Sequence, residues 1–234
     1  IDLASPAPRI NGMMSVLRPV ATVTGFSGAP VGCDTSLMGW RVTTDALLAL
    51  GARNGPMGWQ QYPADHPLCV MFTSGSTGLP KGVCVPPSGV ARLVLGADFA
   101  DFRPAARWAF LSSPAFDASH LEIWAPLLNG GCCVVFEGDP SSLESIADFL
   151  HERRVTDAWL TAGLFNAMVE TNIDALGALL QLLIGGERLS PVHVAAMLSA
   201  HSGVRLINGY GPTENTTFTL CHTIHPQDVE SDGG

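Results

Sequence analysis

The sequence predicts an α/β protein, with layered sheets and flanking helices, on three observations. Short β-rich runs alternate with helical patterns from about residue 68 onward. The run LCVMFT (68–73) is continuously apolar and of strand length. The Gly- and Ser-rich segments fall where strand-like runs end, which is where open α/β sheets place their active loops.

The elements follow in order. LCVMFT breaks into a Gly/Ser/Thr loop, and SGVARLVLGA (88–97) then has helical apolar spacing. RWAFLSS (107–113) returns to strand, HLEIWAPLL (120–128) is helical, and GCCVVFEG (131–138) is strand-like. SSLESIADFLHERR (141–154) opens with a Ser/Glu capping pattern and continues as an amphipathic helix. VTDAWLT (155–161) precedes helix-like LFNAMVET (164–171), and strand LLIGG (182–186), helix SPVHVAAMLSAH (190–201) and strand VRLIN (204–208) complete the alternation. A largely parallel sheet is the expected result. Residues 1–66 read as an irregular N-terminal segment, with RVTTDALLALG (41–51) as a short helix or strand–helix joint and NGPMGWQQYPADHP (54–67) as a Pro/Gly-rich connector. Residues 67–234 form the α/β portion.

Composition narrows the function classes. Hydrophobic residues make up 47% and charged residues 14% of 234, the balance of a globular chain with many buried segments. No apolar run reaches the roughly 18 residues of a membrane span, so a cytoplasmic protein without a membrane partner is expected. A formal net charge of -9, with scattered arginines, argues against a nucleic-acid partner. The six cysteines lack CxxC spacing and read as free thiols. Cys221, His222 and His225 form a weak metal pattern with no second cysteine nearby. IDLASPAPRI has neither an initiator Met nor a leader pattern, and both ends read as internal to a longer protein.

MFTSGSTGLPKGV (71–83) surrounds Lys81, the only lysine of the chain, with small and hydroxylated residues. Such a loop offers backbone N–H groups and hydroxyls to a polyphosphate, and lysine adds a mobile charge. A flexible surface loop with a solvated lysine is the plain alternative. A Walker A loop is excluded, because Pro80 precedes Lys81 and Gly82 follows it where that motif needs Gly before and Ser or Thr after.

FTSGSTGLPKGV resembles the signature loop of the adenylate-forming enzymes, the superfamily of acyl-CoA synthetases, luciferases and the adenylation domains of nonribosomal peptide synthetases. FDAS (116–119) and NGYGPTENT (208–216) resemble two further motifs in the right order, and SPAPRI near the start resembles the tail of an earlier one. The resemblance covers almost the whole chain and is most specific to peptide-synthetase adenylation domains. It implies the large N-terminal core of such an enzyme, with the ribose-binding Asp, the hinge and the C-terminal lid beyond residue 234. Pro87 departs from the pattern, which often has His there.

The roles implied by the resemblance fall on named positions. Thr73, Ser74, Gly75, Ser76, Thr77, Gly78 and Lys81 would hold the β- and γ-phosphates of ATP. Asn208 and Tyr210 would contact adenine beside Gly211, Thr213 the α-phosphate, and Glu214 a magnesium ion, a cation that favours carboxylate oxygen. Gly186 and Glu187 would pass close to the nucleotide. Lys81, Thr213 and Glu214 are the candidate catalytic residues. From its position alone Asp117 reads first as a helix cap, but the resemblance reverses this, since in amino-acid-activating members it pairs with the substrate's α-ammonium group. With it, Ala118, Leu121, Trp159, Leu183, Gly185, Gly209, Thr217 and Phe218 would line the side-chain pocket. That apolar set disfavours charged substrates, and it resembles pockets for valine, with isoleucine next. Trp159 and the leucines have ordinary core positions as their plain alternative. The implied reaction activates an amino acid as its adenylate and passes it to the phosphopantetheine of a carrier domain, next to a condensation domain. An acyl- or aryl-CoA ligase and a non-catalytic nucleotide-binding module are the alternatives.

Overall fold

A computed structural model describes residues 1, 5–24, 31–54, 62–63, 65–74 and 80–230 of the chain, which divides into two units, Ile1–Pro86 and Pro87–Gly234. The division falls after Pro86 rather than after residue 66, so the strand pair that carries Lys81 belongs to the first unit.

The first unit contains more regular structure than its Pro/Gly content suggests. Helix α1 (Ala7–Leu17) tolerates a proline in its first turn because the N–H removed there has no intrahelical partner. It buries Ile10, Met13 and Met14 at helical spacing, and Ile10 and Met14 meet Met38 in a small core. Strand β1 (Ala21–Thr24) pairs in parallel with β2 (Trp40–Thr43), which runs directly into α2 (Thr44–Asn54), the predicted strand–helix joint. Strand β3 (Cys69–Ser74) pairs antiparallel with β4 (Pro80–Val85) from Cys69 opposite Val85 to Ser74 opposite Pro80. Strand β4 was not anticipated, since Pro80 and Gly82 read as loop residues.

The second unit is the predicted alternation. Helix α3 (Pro87–Val94) leads to β5 (Arg107–Phe110), α4 (Ala118–Leu128), β6 (Cys132–Val135), α5 (Leu143–Glu152), β7 (Asp157–Thr161), α6 (Ala162–Leu176), β8 (Gln181–Gly185), α7 (Pro191–Ala200) and β9 (Arg205–Tyr210). After a 3₁₀ turn at Thr213–Asn215, β10 (Leu220–Thr223) returns along β9, and α8 (Pro226–Glu230) follows. The six strands are ordered β10-β9-β8-β7-β5-β6, with all pairs parallel except β9–β10.

Every residue of β8 is buried, as expected for a parallel strand covered on both faces. The strand period of two then splits its side chains. Leu182 and Ile184 join one core with Leu160, Phe165 and Leu206, while Leu183 joins another with Trp108, Leu121, Ile207 and Phe218.

Candidate active site

The loops leaving the carboxyl ends of β5, β7, β8 and β9 enclose a cavity of ≈ 880 Å³. The segment after β5 contributes Ser112, Ser113, Phe116, Asp117 and Ala118, and β7 contributes Trp159 and Thr161. Gly186, Glu187, Arg188 and Leu189 enter after β8, Asn208 to Gly211 at the end of β9, and Thr217 and Phe218 just before β10. This is where a parallel sheet exposes its loop backbone to a ligand.

Asp117 precedes the first turn of α4 but makes no side-chain cap bond, so the helix-cap role open to it in the sequence is not the one it fills. Its backbone carbonyl accepts a hydrogen bond of 2.8 Å from Thr217 Oγ1, joining the start of α4 to the segment before β10. That segment is conformationally unusual. Thr216 and Thr217 are both left-handed, with φ of 56° and 66°, which costs roughly 1–2 kcal/mol per residue for a side chain with a Cβ. Gly209 is required next to them, because a Cβ there would lie 2.5 Å from the Phe218 ring.

Of the predicted pocket residues, Asp117, Ala118, Trp159, Gly209, Thr217 and Phe218 are brought together around the cavity. Leu121 and Leu183 lie outside its lining, fully buried in the core with Trp108 and Ile207. Gly185 ends β8 against the Gly209 carbonyl, also off the lining. The indole Nε1 of Trp159 is buried without a hydrogen-bond partner among the described residues. Two charged residues absent from the predicted pocket set, Glu187 and Arg188, line the same cavity.

Among the predicted nucleotide and metal residues, Gly186, Glu187, Asn208, Tyr210 and Gly211 line the cavity, with Tyr210 well exposed. Thr213 and exposed Glu214 form the 3₁₀ turn that follows, outside the lining. Thr73 and Ser74 close β3 opposite Lys81 and Pro80 of β4, in the first unit. Gly75, Ser76, Thr77 and Gly78 lie outside the described residues. No group of three or more His, Cys, Asp or Glu side chains gathers among the described residues, so Cys221, His222 and His225 form no such cluster there.

Two buried carboxylates went unnoticed in the sequence. Glu122, one turn into α4, is fully buried and accepts hydrogen bonds from the backbone N–H groups of Leu111 (3.2 Å) and Ser112 (3.0 Å). Burial pushes its carboxyl up to about 7, although those bonds pull the other way. It anchors the segment that carries Ser112 and Ser113 into the cavity wall. Asp157 begins β7 at the opposite end of the sheet and pairs with Arg103 through bonds of 3.1 and 2.9 Å, with the Thr156 hydroxyl on one of its oxygens. Far from the cavity end, that pair satisfies a buried charge and serves the fold. An acid on an otherwise apolar helical face was the available signal for Glu122.

A sheet of this topology with a ligand cavity over its carboxyl edge belongs to the nucleotide- and substrate-binding class of α/β proteins. Comparison makes this specific: residues 25–234 match the model of the AMP-binding enzyme family, and the chain belongs to that family. It is 50% identical over 154 residues to malpibaldin synthetase of Mortierella alpina, covering 65% of this chain and 3% of that protein. An L-allo-isoleucine:holo-[CmaA peptidyl-carrier protein] ligase of Pseudomonas savastanoi pv. glycinea is 36% identical over 166 residues, 70% of this chain and 28% of the ligase. The solved structure of holo-PA1221, a nonribosomal peptide synthetase protein containing adenylation and PCP domains, superposes with a TM-score of 0.88 at 38% identity, covering 99% of this chain and 39% of that one. The chain thus spans a small part of the length of these relatives. Among its described residues no helix is long and apolar enough to cross a membrane.

Proposed function

We propose that the chain is the amino-acid-binding part of an adenylation domain, which activates an amino acid with ATP for nonribosomal peptide synthesis in the cytoplasm. A carboxylate oxygen of the amino acid attacks the α-phosphorus of ATP, the bond to the β-phosphate oxygen breaks, and aminoacyl-adenylate and pyrophosphate result. The phosphopantetheine thiol of a carrier domain then displaces AMP to give a thioester, which a neighbouring condensation domain consumes.

The observation that carries this reading is Asp117, a carboxylate on the cavity wall whose side chain does not cap its helix. There it suits an α-ammonium group, while adjoining Ala118, Trp159 and Phe218 suit an apolar side chain of modest size. Valine is the first choice and isoleucine the next, and the relative named as an L-allo-isoleucine ligase supports a branched aliphatic substrate. Glu187 and Arg188 enter after β8, beside the Gly186 assigned to the nucleotide. Thr73, Ser74, Gly75, Ser76, Thr77, Gly78 and Lys81 take the β- and γ-phosphates, and Thr213 the α-phosphate. Tyr210, well exposed, is suited to stack on adenine, with Asn208 and Gly211 beside it. Glu214 is the oxygen donor a magnesium ion prefers, and a single carboxylate fits an ion that shares its shell with substrate phosphates and water. Such an ion, when bound, neutralises charge on the transferring phosphate. Catalysis by this chain's own residues is positioning and charge stabilisation.

ATP–pyrophosphate exchange by the complete synthetase module, across amino acids and simple carboxylic acids, tests the reading. Valine-dependent exchange that falls at least about 10²-fold in Asp117→Ala is expected, since leaving a desolvated charge unpaired costs about 3–5 kcal/mol. Exchange with non-amino carboxylates alone would assign the chain to the acyl- or aryl-CoA ligases. ATP binding without exchange would leave a nucleotide-binding module.

A further inference from the structure

Arg92 lines no part of the cavity, yet one of its nitrogens reaches three successive points on the segment that forms a cavity wall. Its Nη2 donates to the carbonyls of Asn215 (2.6 Å), Thr216 (3.2 Å) and Phe218 (2.9 Å). The two left-handed residues, Thr216 and Thr217, lie within that span and fold the backbone so that these carbonyls face one cation. The same helix approaches the segment a second time. A Cβ on Gly89, one turn before Arg92, would lie 2.5 Å from Thr216 Oγ1, so only glycine lets α3 come this close. The other face of α3 is fixed, with Val90, Leu93 and Val94 buried. A rigid helix therefore grips a strained turn at its carbonyls and at a side chain, and Thr217 Oγ1 ties the far side of that turn to the Asp117 carbonyl.

We propose that Arg92, seated against Gly89, is a positioning residue that sets the side-chain selectivity of the cavity without touching substrate. It holds Thr217 and Phe218 where they form the wall, and that wall decides which carboxylate fits. This rests on the reading of the cavity as the substrate pocket. Strain in a binding-site turn persists only while its surroundings over-determine it, and the guanidinium supplies three of the hydrogen bonds that do so here. Without it the turn relaxes towards ordinary backbone angles, and the wall loses its fixed distance from Trp159.

The test compares wild type, Arg92→Met and Arg92→Lys in the complete module, measuring kcat/KM in pyrophosphate exchange for the best substrate and for its neighbour differing by one methylene. Discrimination of one methylene is worth roughly 10–200-fold in a fixed pocket. Arg92→Met, which keeps the aliphatic stem, is expected to cut that ratio about tenfold, chiefly through KM of the better substrate. Arg92→Lys, which restores a cation with three N–H donors, is expected to recover much of it. Gly89→Ala probes the second grip. Alanine favours an unobstructed helix, so a lowered Tm together with a lowered ratio is expected from the clash with Thr216. A ratio unchanged in Arg92→Met overturns the proposal, including when kcat falls equally for both substrates along with Tm, the mark of a purely structural role. The two readings fail separately: the carboxylates that wild type accepts decide the amino-acid assignment, and the change of ratio among those accepted decides the role of Arg92.

Discussion

The β3–β4 pair and the segment from Gly209 to Phe218 both carry motif residues, and they are built in opposite ways. Lys81 rides on a regular antiparallel ladder in which every residue from Cys69 to Ser74 has a partner between Pro80 and Val85. Its ladder partners come from a strand that ends only a few positions earlier in the chain. The Gly209–Phe218 segment has two left-handed threonines, a glycine that must leave room for a phenylalanine ring, and a hydrogen bond to Asp117 across 100 residues. A ladder can present a charged side chain, but a wall of defined shape is made only when distant elements converge on it.

Substitutions can break or sharpen that contrast. The largest effect is expected from Phe218→Ala. Phe218 is buried in the core with Leu183 and Ile207 and meets Phe99 edge-on at 5.9 Å. Its truncation should destabilise by about 3–5 kcal/mol in urea unfolding, and a loss under about 1 kcal/mol would show that the segment is not part of the core.

A comparable effect, dependent on pH, is expected from Glu122. Its carboxyl is raised from 4.5 to about 7 in the folded chain, so the native state binds the extra proton between those values. The associated stability is fully present below about pH 4.5 and is lost as pH rises through 7. A shift of that size corresponds to roughly 3 kcal/mol. Glu122→Gln should flatten the dependence over this window, keeping the segment of Ser112 anchored above pH 7. An unchanged slope would mean that another group titrates.

The smallest effect on stability is expected at Lys81, which is exposed on its strand. Lys81→Met should move unfolding by less than about 1 kcal/mol while strongly depressing pyrophosphate exchange in the complete module. A large loss of stability would make the lysine part of the fold of β3–β4 rather than of phosphate binding.

Reading the sequence succeeded where a local rule governs. The strand–helix alternation after residue 107 is reproduced from β5 to β9, because apolar runs and helical periodicity report burial directly. It failed where punctuation misled: the prolines at the start of α1 and the Pro80 and Gly82 of β4 read as loop, although a first helical turn and a short hairpin strand both accept them. It also missed β10, whose four residues gain their partners only from β9.

The site shows the same division. Asp117, Trp159 and Phe218 are recognisable from the motifs around them and do line the cavity. Leu121 and Leu183 were equally plausible as lining but face the core, since side-chain direction on a helix or strand is settled by what packs against it. Nothing in the spacing of Arg92 distinguishes it from a surface arginine, and Glu122 shows only as an acid on an otherwise apolar helical face. One is drawn onto three carbonyls more than 120 residues away, and the other is sealed beneath the end of β5. Short-range patterns thus determined the elements from β5 to β9, their order and the motif residues. Tertiary structure alone decided which side chains meet at the cavity and which acid loses its water, because burial, strain and long-range hydrogen bonds arise only when separate elements come together.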